Sequence, residues 1–79
     1  MTPEYEIPPF RIREYGKTEL AVLYSPHLRT VTAVKKLRRW IRGNRPLMAA
    51  LAEADYNPRR LSYTPREVEL IVRHLGAPG

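Results

Sequence analysis

Thr30 to Arg42, TVTAVKKLRRWIR, decides how the rest of the chain is read. At about 100° per residue, Ala33, Val34, Leu37, Trp40 and Ile41 fall on one side of a helix, and Lys35, Arg38, Arg39 and Arg42 fall on the other. The first set needs a core to bury it, so the second must look outward. No carboxylate occurs between Glu19 and Glu53. These cations, with Arg29, Lys36 and Arg45, therefore form a positive field with no counter-charge nearby in sequence, and such a field leans toward a polyanion as partner.

A chain of 79 residues supports one small domain, which buries only about 60% of its unfolded surface and has a few kcal/mol of stability. Residues 1–9 read as a flexible lead-in, because they hold three prolines and two glutamates. Residues 10–79 read as the single domain. There is no cysteine, which excludes a disulfide framework or a thiolate metal site. The start of the chain has neither the basic residues nor the apolar run of a signal peptide, and no stretch approaches the roughly 18 apolar residues of a membrane span. The expectation is a soluble, cytoplasmic protein with no membrane partner.

The net charge of +6 is unevenly placed. Up to Pro26, Arg11, Arg13 and Lys17 are outnumbered by Glu4, Glu6, Glu14 and Glu19. From His27 onward, eleven bases face four acids. The excess sits in the helical part, where it raises encounter rates with nucleic acid or anionic surfaces. Charge of this size also keeps a small domain dispersed, which is the plainer reading.

Taken in order, Phe10 to Tyr15 alternates with the period of a short strand, and Gly16 is expected to break it. Lys17 to Tyr24 reads as a helix with Leu20, Leu23 and Tyr24 on one stripe, ended by Pro26. Thr30 is the expected N-cap of the basic helix, Gly43 its C-terminal residue of positive φ, and Asn44 the cap of the next helix. That helix, Arg45 to Ala54, turns Leu47, Met48 and Leu51 inward. Arg60 to Tyr63 reads as strand, most simply paired with the Phe10 to Glu14 run. The clearest local signal is Thr64-Pro65-Arg66-Glu67, a capping box with proline at the first helical position. Val68, Ile71, Val72 and Leu75 follow at helical spacing, and Gly76 with Pro78 stops the helix. The fold class is mainly α: four short helices around one core, with a small two-stranded β-ribbon, similar to a winged helix-turn-helix.

Little in this sequence suits catalysis, so no enzyme activity is expected. His27 and His74 belong to no metal-ligand spacing, and His74 suits the C-terminal end of a helix. Ser25 and Ser62 lie in no nucleophile motif. No cofactor, metal or small-molecule substrate is indicated.

Two resemblances add to this reading. The segment E-L-A-V-L-Y at Glu19 to Tyr24, with Leu37-Arg38-Arg39-Trp40, resembles the E-L-A … L-R-x-W wording of MerR-like and excisionase-like winged helix-turn-helix proteins. Y-T-P-R-E-V-E-L-I at Tyr63 to Ile71 is similar to the helix after the wing in that group. A closer likeness runs from Phe10 to Pro78. The words F-R-I-R-E-Y-G-K-T-E-L-A-V-L-Y-S-P, L-R-R-W-I and T-P-R-E-V-E-L-I-V-R-H-L-G resemble a family of short bacterial proteins known as a domain of unknown function. That resemblance carries no activity, ligand or catalytic residue with it.

The first functional expectation is a DNA-binding module, in which Lys35, Arg38, Arg39 and Arg42 contact double-stranded DNA and Arg59 and Arg60, in a hairpin, clamp its backbone. The alternative is a protein-interaction or adaptor module, which uses the basic face or exposed Val22 and Leu70 to dock an acidic or apolar partner or a second copy. RNA is a third partner if Tyr15, Tyr56 and Tyr63 are exposed for stacking.

Overall fold

The computed structural model describes residues 10–78. The lead-in expected at 1–9 lies outside the described residues. In chain order the elements are β1 (Tyr15–Gly16), α1 (Lys17–Tyr24), α2 (Thr30–Gly43), α3 (Arg45–Glu53), β2 (Ser62–Tyr63) and α4 (Pro65–Leu75). The protein is mainly α, with four helices and one two-stranded antiparallel ribbon among the described residues.

Each helix places its apolar residues on a shared core. Leu20 and Ala21 come from α1, Ala33, Leu37 and Ile41 from α2, Leu47 and Leu51 from α3, and Val68, Leu70 and Ile71 from α4, all buried. Tyr15 and Tyr63 close one end. Three apolar residues of the anticipated seams are instead exposed: Leu23, Met48 and Trp40, which is 39% exposed. The helical wheel explains the last. Trp40 is turned about 60° from the Ala33–Leu37–Ile41 line, at the flank of the seam rather than its centre. Leu70, anticipated as an exposed docking residue, is buried in the core.

The ribbon is shorter than the alternation suggests. Tyr15 pairs with Tyr63 and Gly16 with Ser62, so Gly16 continues the strand rather than breaking it, and residues 10–14 are not strand. The chain folds back on itself there. Phe10 stacks on Tyr15 with ring centroids 5.1 Å apart, and the Tyr15 hydroxyl donates to the Arg11 carbonyl at 2.9 Å. The ribbon joins the start of α1 to the start of α4, so its strands lie far apart in sequence and form no hairpin.

Capping departs from expectation at two places and agrees at two. The N-cap of α2 is Arg29, in extended conformation, and Thr30 is already helical with no side-chain cap formed. Gly43 is also helical, and α2 ends at Asn44, whose amide donates to Ile41. Asn44 serves both helices, since its side chain accepts from the Leu47 amide at 3.0 Å and so starts α3. One extended asparagine before Arg45-Pro46 makes the corner, so no left-handed glycine is needed. Positive φ occurs instead at Asp55, just past α3, with φ 59, and at Gly76, which ends α4, with φ 86. In α4 the capping box forms as expected. The Glu67 amide donates to the Thr64 hydroxyl oxygen at 3.2 Å, and the Glu67 carboxylate accepts from the Thr64 amide at 2.8 Å.

Candidate nucleic-acid interface

Packing of α1 and α3 against α2 fixes which way its cations point. With Ala33, Leu37 and Ile41 in the core, Lys35, Arg38, Arg39 and Arg42 are all exposed. They occupy an arc of about 100° and roughly 10 Å of helix length. Among the described residues, the ion pairs take up Arg13, Arg60, Arg66 and Arg73, and none takes up a cation of α2. The first turn of α2 has no acid to offset the partial positive charge of its N-terminal amides. Lys36 lies at the flank, its ammonium 4.9 Å from the Trp40 ring centre, and Trp40 meets Tyr24 edge-on.

The four cations do not face a single cleft. Lys35 and Arg38 border a depression of about 270 Å³ that also includes Thr18 of α1. Arg38 and Arg42 border a groove of about 370 Å³ between α2, α3 and the segment leading to β2. Arg39 lies on the other flank, beside Trp40 and Asn44. The arc is therefore a convex ridge with a shallow hollow on each side.

Arg59 and Arg60 part company. Arg59 is exposed, and its amide donates to the Asn57 side chain at 2.9 Å. It follows Pro58, which lines the Arg38–Arg42 groove. Arg60 is not free to act as a backbone clamp, because its guanidinium is paired with Glu67. Glu67 is fully buried, so its charge needs that partner. Arg60 also donates from Nε to the Ser62 carbonyl at 3.3 Å. Its role is to hold the loop onto the start of α4.

Lys17, which belongs to no motif, works the same way from the other side. Its ammonium donates to the Tyr56 hydroxyl at 3.1 Å and the Pro58 carbonyl at 2.9 Å. Tyr56 in turn stacks on Tyr63, with centroids 6.2 Å apart. Burial pushes the Tyr63 hydroxyl above the ordinary tyrosine value, with the charge of Arg38 pulling the other way. The tyrosines are packed rather than displayed: Tyr15 and Tyr63 are buried and Tyr56 is half-buried. His74 Nδ1 donates to the Leu70 carbonyl at 2.8 Å, which fits its place in the last turn of α4. Among the described residues, no three His, Asp or Glu side chains converge as a metal site would require. No described helix is long and apolar enough to cross a membrane.

A family model described as Domain of unknown function (DUF4248) matches residues 11–78. The chain belongs to this family. The matched residues include every helix and strand described above, so the cationic ridge lies within the family domain. Comparisons with curated proteins and with solved structures found no match.

Proposed function

We propose that this member of the DUF4248 family is a small double-stranded DNA-binding module, without catalytic activity, acting in the bacterial cytoplasm. The observation that carries the reading is the ridge of α2. Four long cations share one exposed face, the opposite face is core, and none has a carboxylate partner among the described residues. A helix with that face fits the width of a major groove, where arginine and lysine reach phosphates and guanine edges. Lys35, Arg38, Arg39 and Arg42 are the contact residues, and Arg59 is a peripheral phosphate contact. Packing of the tyrosines disfavours single-stranded RNA, which calls for exposed stacking rings.

The test is fluorescence anisotropy with a generic duplex over a salt series. Each neutralised phosphate contributes about −0.9 to the slope of log affinity against log salt, so four or five contacts give a slope of about −4. Lys35→Glu with Arg39→Glu should abolish binding and leave the melting temperature nearly unmoved, because both side chains are exposed. A flat salt dependence, or no binding at low salt, ends this reading. The exposed Trp40 favours a second reading, an interaction module that docks an apolar partner, namely a second copy of the chain. Sedimentation that shows a self-association insensitive to the α2 charge reversals but lost in Trp40→Ala would support it.

A further inference from the structure

We propose that the groove between α2, α3 and the segment leading to β2 is a binding site for a small aromatic carboxylate. The groove holds about 370 Å³, at the lower end of the range of small-molecule sites, about 300–1,000 Å³. Its floor is apolar and fixed, because Ile41 and Tyr63 are buried core residues. Its walls include Tyr56 and Met48, a thioether left exposed although the rest of the α3 seam is covered. Flat rings and a polarisable sulfur suit a flat apolar guest.

The polar requirement is set at the rim. Arg38 and Arg42 stand one helical turn apart, about 6 Å along the axis, and no acidic residue is among those that line the groove. Two guanidiniums at that spacing can grip one carboxylate with charge-assisted hydrogen bonds. A simple anion would leave the apolar floor unused, and a neutral hydrocarbon would leave the arginines unused. A cation would be repelled. The wall is also held ready, since Lys17 bonds the Tyr56 hydroxyl and Tyr56 stacks on Tyr63, so little ordering remains to be done on binding. This site stands apart from the DNA reading but shares Arg38 and Arg42 with it, so an occupied groove would withdraw two cations from the ridge.

The experiment is an amide and methyl NMR titration of the full chain with indole-3-acetate, beside 3-methylindole, acetate and tryptamine. The expected result is saturable shifts at Arg38, Ile41, Met48, Tyr56 and Tyr63, with a dissociation constant on the order of 1 mM or below. 3-Methylindole and acetate should each bind about tenfold more weakly, and tryptamine should not bind. Arg42→Gln should weaken the acid about tenfold, and Met48→Glu, an exposed replacement that puts a like charge in the groove, should abolish it. Absence of saturable shifts, or equal shifts with tryptamine, overturns the proposal. So does binding of an acidic, phenylalanine-containing peptide while the free acid leaves the spectrum unchanged, which would assign the groove to a protein partner. Duplex binding is read separately. If the acid binds and DNA never does, the site stands and only the DNA reading falls. If both bind, saturating acid should make the salt slope shallower by about 2.

Discussion

At the scale of single residues, Gly43 and Glu67 show how a side chain's meaning depends on backbone and burial. Gly43 reads in sequence as a left-handed helix end, yet it is helical, and an added Cβ would meet nothing within 4 Å. Gly43→Ala should therefore stabilise the protein by roughly 0.4–1 kcal/mol by restricting the unfolded chain. A thermal melt checks this, and a fall in the midpoint would contradict the helical conformation. Glu67 reads as half of a capping box, which it is, but it also carries a buried charge balanced by Arg60. The sequence could place it at the third helical position. It could not show that α4 would be rolled so that this position, with Val68, faces the core.

At the scale of elements, the loop between α3 and β2 sets Ala54 and Tyr56 against the core and is tied down by two cations. Lys17 pins it to α1 and Arg60 pins it to α4. Arg60→Ala should cost about 3 kcal/mol, because it strands a buried carboxylate, and should lower the melting temperature by roughly 10 °C or more in a domain of this size. Glu67→Gln should cost only about 1 kcal/mol, since glutamine still closes the capping box and the partly exposed Arg60 can turn toward water. Equal losses from the two variants, measured by denaturant titration, would show that the buried charge is not what makes the pair matter. Any loss of DNA binding in Arg60→Ala should track unfolding, whereas loss in Arg38→Gln should not. The ribbon belongs to this scale as well. Alternation at 10–15 marked the right neighbourhood, but the fold-back of Phe10 onto Tyr15 leaves only Tyr15 and Gly16 to pair.

At the scale of the whole molecule, the acids and bases are sorted. Among the described residues, Glu19 holds Arg13, Glu67 holds Arg60 and Glu69 holds Arg66, so the uncompensated charge gathers on α2. Hydrogen bonds from Arg13 and the Gly16 amide hold the Glu19 carboxyl below the ordinary range, but both side chains of that pair are exposed and add little to stability. The larger pH effect is alkaline. Burial pushes the Tyr24 hydroxyl up to about 12 and raises Tyr63 as well. A hydroxyl whose folded pKa lies above its unfolded value gives stability that is intact below about pH 10 and is lost as pH climbs through the folded value. Denaturation midpoints should therefore fall between about pH 10 and 12, together with tyrosinate absorbance. Tyr24→Phe should flatten that fall while forfeiting the 2.6 Å hydrogen bond to the Gly76 carbonyl. A midpoint constant across that range would count against burial of these hydroxyls.

The four helices, the capping box of α4, the role of Asn44 and the outward basic face of α2 were legible from residue order alone, because each follows from spacing along one element or from a bond between near neighbours. It took the folded molecule to reveal that Trp40 and Met48 reach the surface, that Leu70 is core, that Arg60 is engaged with Glu67, and that Arg38 and Arg42 overlook an apolar groove. Those facts depend on how each helix is rolled against the others, and roll is set by the summed packing of residues distant in the chain.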